Sequence, residues 1–289
     1  MKTSKHAYLI MAHSNFEILR ILLNCLNKEY NDLYVHIDKK SKVPLWIYSL
    51  KWPNLFIVEN RLDVRWGDFS QIKLELYLFQ LASEQEQYEY YHLLSGVDLP
   101  IKNIDYIYDF FHTNKGKEFV GFSSDTNWEY KVCKYHFFTR YYRNQSQIIK
   151  KLRFFSEFII NSFITRSKNY NTFKLKKGAN WVSITDNFCR YLLSKKDYIY
   201  KRFQFTCCAD EIFLQSILWN SSFRKNIYSL KNEYDGCMRE IDWERGEPYI
   251  WGEMSCDFSI LSKSDRIFAR KFDENKSRKL LYQIKSLLR

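Results

Sequence analysis

Several features that would fix a function at once are missing from this chain. No stretch reaches the roughly 18 apolar residues a membrane-spanning helix needs. The opening MKTSKHAYLIMAHSNFE has an apolar run too short for a signal peptide and no small-residue cleavage site, so a cytoplasmic location is expected. The seven cysteines, at positions 25, 133, 189, 207, 208, 237 and 256, contain no C-x-x-C pair. Their odd, scattered set reads as reduced thiols and argues against a disulfide framework or a zinc knuckle. Neither G-x-G-x-x-G nor G-x-x-x-x-G-K-[ST] occurs, which removes the usual phosphate cradles of dinucleotide enzymes and P-loop hydrolases. Paired zinc ligands and an RNP-type aromatic motif are also absent, so no nucleic-acid module declares itself. Repeats, low-complexity tracts and long polar linkers are missing too, which favours one unit, or two lobes sharing a cleft, over separable domains.

What is present is an ordinary globular composition with a basic bias. Of 289 residues 46% are hydrophobic, enough for a sizeable core, and 22 Tyr, 23 Phe and 8 Trp suit either core filling or stacking on sugars and bases. The formal charge is +12. It is concentrated: between Arg140 and Lys177 the cations at 140, 143, 150, 151, 153, 166, 168, 174, 176 and 177 face one acid, Glu157. A phosphate-bearing substrate or an anionic membrane surface is the expected partner of such a patch, ahead of nucleic acid.

Over the first hundred residues, short apolar runs at 7–12, 33–37, 55–58 and 91–94 alternate with helix-length segments starting near Asn15 and Ser70. That alternation predicts βαβ units, a mostly parallel Rossmann-like sheet, and ligand binding beyond the carboxyl ends of the strands. His13, Asp38 and the turn Ser95-Gly-Val-Asp-Leu-Pro100 occupy those ends. Downstream, 147–163 has apolar residues at helical spacing with cations on the other side, the pattern of a basic amphipathic helix. A glycine-led strand over 178–185, helices near 186–195 and 209–219, a strand around 239–243 and a closing helix from about Glu274 complete the expected order.

The stretch Thr206-Cys-Cys-Ala-Asp-Glu-Ile-Phe-Leu-Gln-Ser-Ile-Leu218 places two thiols and two carboxylates within five residues. By itself it admits three readings: metal ligands, a catalytic base at a helix start, or capping acids beside core cysteines. Adjacent cysteines rarely ligate one ion together and no second cluster accompanies them, which weakens the first. After the fourth apolar run, where many nucleotide-sugar transferases carry a metal-binding D-x-D, the chain reads Leu94-Ser-Gly-Val-Asp98, with one carboxylate. The only Asp-x-Glu, Asp242-Trp243-Glu244, lies far downstream.

Seven strings in order, Ala7 to His13, Val35 to Lys40, Trp66-Gly-Asp-Phe-Ser70, Leu93 to Ile101, Gly178-Ala-Asn-Trp181, Asp210-Glu211 and Phe268-Ala-Arg-Lys-Phe-Asp273, resemble the core-2/I-branching β-1,6-N-acetylglucosaminyltransferase family (glycosyltransferase family 14), which also contains peptide O-xylosyltransferases. The resemblance implies a single GT-A-type α/β catalytic domain over 1–289, with a nucleotide-sugar half at 1–120 and an acceptor and catalytic half at 121–289. It implies inverting, metal-independent transfer from a UDP-sugar, N-acetylglucosamine first and xylose second, to a hydroxyl of a glycan or lipid-linked saccharide in surface polysaccharide or glycoconjugate synthesis. Glu211 matches the family's catalytic base, with Ala209 where the family has proline, and Asp210 becomes a supporting acid. Arg239 and Lys271 match the two cations that contact the donor's diphosphate in place of a metal. Met11, Ala12, His13, Asp38, Lys39, Lys40 and Trp66 match the donor's base and ribose site, and Asp98 falls close to the donor sugar. Trp181 is a candidate acceptor surface. Nothing carries over between Phe122 and Arg143, where no family motif is found. Without an anchor or paired cysteines the chain looks like a bacterial cytoplasmic relative. The segment 140–177 and the cationic last helix would either dock on the inner face of an anionic membrane or pack their apolar sides on the core. A basic nucleic-acid or anionic-polymer binding module is the alternative of another class.

Overall fold

The structure is a computed structural model, described over residues 4–125, 127–128, 130–143, 146–164 and 173–287. In chain order the elements are β1 (His6–Ala12), α1 (Phe16–Leu26), β2 (Asn31–Ile37), β3 (Leu55–Ile57), α2 (Ser70–Gln85), β4 (Tyr90–Ser95), β5 (Asp98–Pro100), α3 (Ile104–Thr113), α4 (Tyr130–Cys133), α5 (Gln147–Phe163), β6 (Ser183–Thr185), α6 (Asp186–Ser194), α7 (Lys196–Phe203), α8 (Phe213–Trp219), α9 (Glu233–Cys237), β7 (Arg239–Ile241), α10 (Asp257–Lys263), β8 (Phe268–Arg270) and α11 (Arg278–Leu287).

The expected mostly parallel sheet is there. Its order is β3-β2-β1-β4-β6, with β1, β2, β3 and β4 parallel and β6 antiparallel to β4. β1, β2 and β4 are covered on both faces, which is why they read as near-continuous apolar runs. One face packs Ile72, Leu76 and Phe79 of α2 with Phe188 and Leu192 of α6 and Ile217 of α8. The other packs Leu19, Leu22 and Leu23 of α1 with Ile107 and Phe111 of α3 and Leu280 and Ile284 of α11. A second sheet, β5-β8-β7, stands beyond the end of β4, with β5 antiparallel and β7 parallel to β8. Both sheets draw strands from before and after residue 120, so the two expected halves interleave.

Three expectations are refined. The 178–185 strand narrows to Ser183–Thr185, because the segment before it turns to meet Glu211, whose carbonyl accepts from Gly178 N–H at 2.9 Å. The helix expected over 209–219 breaks in two: left-handed Cys208 (φ 49) starts a 3₁₀ turn, Ala209–Glu211, and Ile212 (φ −127) leaves helical geometry before α8 begins. The Asp-Leu-Pro turn after β4 is a strand, β5.

The two cationic helices behave differently. Leu280 and Ile284 of α11 are buried in the core, the ordinary use of an amphipathic face. No residue of α5 is buried. Arg166 and Lys168 of the basic segment, and Leu288 and Arg289 of the closing helix, lie outside the described residues.

Candidate active site

From β1 the chain moves outward to β2 and β3, then returns to the other side of β1 as β4. The strand order therefore reverses between β1 and β4, the place where open α/β sheets bind ligands. A cavity of about 780 Å³ lies there, within the range of small-molecule sites. Met11, Ala12 and His13 at the end of β1, His36 and Asp38 at the end of β2, and Ser95 of β4 line it. Gly96 permits the two strand ends to close together, since a Cβ there would stand 2.8 Å from the Cβ of Ala12.

Asp38 is buried, and its Oδ1 and Oδ2 accept from the backbone N–H groups of Lys40 (2.9 Å) and Val64 (3.0 Å). Burial alone would raise its pKa, but hydrogen bonds from the Lys40 side chain and these N–H groups outweigh it and hold the carboxyl below its ordinary value. Asp38 is therefore a fixed anion. His36 is the reverse case, pushed down to about 4 chiefly by burial, so its neutral imidazole accepts at Nε2 from Leu62 N–H (2.9 Å). Lys40, Arg65 and Arg140 converge on Asp63 at the rim. Lys39 points to solvent and does not line the cavity.

The far wall is aromatic and cationic. Trp66 stacks at a tilt against Tyr142, with ring centroids 5.4 Å apart, and the Arg143 guanidinium lies 4.1 Å from its centroid. Trp181 carries Arg270 in the same way at 4.3 Å. Arg270 Nη1 also pairs with Asp98 Oδ1 at 2.7 Å, across the β5–β8 register that places the two residues opposite each other. Asp98 is thus buried and anchors Arg270 from behind the cavity wall. Burial, together with the cations Arg270, Arg143 and Lys276, lowers the pKa of Lys271. Lys271 does not line the cavity, yet it sits in this cationic field. Crowded like charges disfavour one another until an anion joins them, so this corner favours an anionic group. Arg239 does not line the cavity; it is buried, with Nη1 donating to Cys237 O (2.8 Å) and Nη2 to Val182 O and Ser183 Oγ (both 3.1 Å).

At the other end, the lining residue Gln71 donates from Nε2 to Asp210 Oδ2 at 2.8 Å. Glu211 follows, one-third exposed, with Lys131 Nζ 3.4 Å and Lys177 Nζ 3.8 Å from its Oε2. Burial draws the pKa of Lys131 down, but the Glu211 carboxylate more than reverses this, so the ammonium persists. Gly178 is required for the loop that holds Glu211, because a Cβ there would fall 1.9 Å from Gly121 O. Glu211 does not line the cavity itself; it follows Asp210, whose carboxylate the lining residue Gln71 holds.

Behind Glu211 two acids are buried. Glu75 accepts from Asn180 Nδ2 (2.9 Å), and burial next to Asp210 raises its pKa well above the carboxylate range. Burial, reinforced by Glu211, pushes Asp210 up to about 7 from 3.8. A folded-state pKa above the unfolded value means stability that is fully present below 3.8 and lost as pH rises through about 7. Asp210→Asn is therefore expected to match wild type at low pH and to exceed its stability above neutrality, by roughly 1–4 kcal/mol. Urea titrations at the two pH values check this. A variant no more stable than wild type at high pH would mean that Asp210 is ionised at no cost.

The structure therefore gathers Met11, Ala12, His13, Asp38, Lys40, Trp66 and Trp181 around one cavity, with Glu211 and Lys271 beside it. Sequence reasoning missed Gln71, Arg65, Arg140, Arg143, Arg270 and Glu75. For Glu75 a signal exists: it falls on the same α2 face as Ile72 and Phe79, where an acid is out of place. A second cavity, of about 400 Å³ at the opposite strand ends, has its polar groups engaged with one another, as in Tyr88 Oη to Asp32 (2.6 Å) and Lys5 to Glu86 (2.9 Å).

The chain is 24% identical over 294 residues to "Xylosyltransferase oxt" of Drosophila pseudoobscura pseudoobscura, covering 92% of this chain and 31% of that protein. To "Xylosyltransferase 2" of Canis lupus familiaris it is 22% identical over 301 residues, covering 95% and 32%. It thus spans about a third of the length of these curated relatives. The family model described as "Core-2/I-Branching enzyme" matches residues 6–261, a span that includes Glu211, Arg239 and every residue lining the cavity except Arg270. The chain belongs to the Core-2/I-Branching enzyme family.

Proposed function

We propose that this chain is an inverting, metal-independent glycosyltransferase that moves a sugar from a UDP-sugar to a hydroxyl of a glycan or lipid-linked saccharide, on the cytoplasmic side of the membrane, in surface polysaccharide or glycoconjugate synthesis. The observation that carries this reading is the cavity at the β1–β4 reversal, with the fixed carboxylate of Asp38 at the strand ends and a far wall of Trp66 and Trp181 carrying the cations Arg143 and Arg270. The ends of β1 and β2 receive the uracil and ribose, with Asp38 and the Met11–His13 edge as their polar contacts. Arg270, Arg143 and Lys271 receive the diphosphate. Glu211 takes the proton of the acceptor hydroxyl as its oxygen bonds to the anomeric carbon, while the bond to the β-phosphate breaks and the electron pair leaves on UDP. A positioned base of this kind typically contributes ~10²- to 10⁴-fold. Fixed cations supply the charge that a divalent metal would otherwise bring.

The resemblance to core-2/I-branching N-acetylglucosaminyltransferases favours N-acetylglucosamine as the transferred sugar, and the printed names of the relatives favour xylose as the second reading. A panel of UDP-sugars in excess EDTA separates them. The cognate donor is expected to be hydrolysed or transferred, and UDP at roughly 100 times its Kd to stabilise the fold by about 2.7 kcal/mol. A protein that single-stranded DNA stabilises and UDP does not would instead be the nucleic-acid module.

A further inference from the structure

α5 presents its apolar stripe outward. Ile148, Leu152, Phe155, Ile159 and Phe163 recur at helical spacing on one side, and each is between 38% and 85% exposed. The opposite side faces the protein and is polar. Asn161 exchanges two hydrogen bonds with the backbone of Tyr135, at 2.7 and 2.9 Å. Glu157 lies 3.6 Å from His136, and Arg153 stacks on Tyr142 at 4.4 Å and donates to its carbonyl. This inverts the usual arrangement, in which a surface helix buries its apolar side. Among the described residues no helix is long and apolar enough to cross a membrane, so α5 is not a span.

We propose that α5 is an interfacial helix that lays its Ile148–Phe163 stripe into an anionic lipid bilayer. Charge selects this occupant. Lys150 and Lys151 stand on the exposed part of the helix, whereas its single acid, Glu157, is turned toward His136. A second copy of this chain would bring Lys151, which flanks the stripe, and Lys150 of the same turn against their like, with no acid of α5 on that exposed part to offset them. A bilayer with acidic headgroups offers the complementary charge, and its acyl boundary takes a convex row of Phe, Leu and Ile without a preformed groove. The docking has a consequence for the site. Tyr142, which Arg153 grips, packs on Trp66, and Arg140, Tyr141 and Arg143 of the same segment line the cavity. A docked α5 would hold the cavity mouth close to the bilayer, where a lipid-linked acceptor is presented. That consequence rests on the transferase reading; the docking itself does not.

The test is flotation of the full chain with vesicles of phosphatidylglycerol and phosphatidylcholine, against vesicles of phosphatidylcholine alone, at low and high salt. Wild type is expected to float with the anionic vesicles and to be released in part by salt. The double variant Phe155→Ser/Phe163→Ser is expected to lose at least about tenfold in partitioning. Its melting temperature and its stabilisation by UDP should not change, because neither side chain touches the core or the cavity. Binding that is absent, indifferent to anionic lipid, or unaffected by the double variant would overturn the proposal. So would a dimer in solution that the same variant dissociates. Failure of UDP to stabilise wild type would instead count against the transferase reading and leave the flotation result standing.

Discussion

Glu211→Gln is expected to reduce transfer by ~10²- to 10⁴-fold while leaving UDP affinity within a few-fold of wild type. The amide keeps the shape of the side chain but cannot take a proton, so the loss falls on kcat. Fold and donor binding are predicted to survive for structural reasons. The loop that carries Glu211 is fixed through its backbone, by the Gly178 N–H bond to its carbonyl, and among the described residues the carboxylate pairs with Lys131 and Lys177 alone, at a partly exposed position. Steady-state kinetics with the cognate UDP-sugar, paired with UDP titration, separates the two effects. Activity within a few-fold of wild type would remove Glu211 from the role of base.

The second large effect is expected at Arg270. Arg270→Met should lower kcat/KM by on the order of 10²-fold, because it removes a fixed cation from the corner where the leaving diphosphate gathers charge. It should also destabilise the protein by roughly 1–3 kcal/mol, since Asp98 is left buried without its partner. The two consequences can be pulled apart. In the double variant Asp98→Asn/Arg270→Met the orphaned charge is gone, so stability is expected to return toward wild type while the rate stays low. Recovery of both together would show that Arg270 acts only through the fold.

The pairing of Arg270 with Asp98 also shows what the sequence could and could not say. The first four strands were legible because strands buried on both faces must be continuously apolar, and β1, β2 and β4 are. The ligand site followed, since a strand-order reversal puts it at the end of β1. Arg270 and Lys271 were harder. They are adjacent, of like charge, and at the end of a strand whose side chains alternate, so only the pairing of β8 with β5 decides that Arg270 turns to Trp181 and Asp98. Asp98 and Arg239 have the right chemistry for a donor site, but both are buried and neither lines the cavity, Asp98 pairing with the lining residue Arg270 from behind its wall. The break in the 209–219 helix depends on left-handed Cys208, a conformation that no propensity assigns to cysteine. For α5 the periodicity revealed an apolar face without its direction. Polar contacts from Arg153, Glu157 and Asn161 set that direction, and all three partners lie in the 135–142 segment, where the chain carries no recognisable motif.

The central claim is that a UDP-sugar binds at the β1–β4 reversal with protein cations, and no metal, meeting its diphosphate. Calorimetric titration of UDP into the full chain in excess EDTA tests it most directly, with Arg270→Met/Asp98→Asn alongside. Saturable, one-to-one binding by wild type that weakens by about tenfold or more in the double variant is the predicted result. Binding that appears only when a divalent metal is restored, or that is indifferent to Arg270, would contradict it.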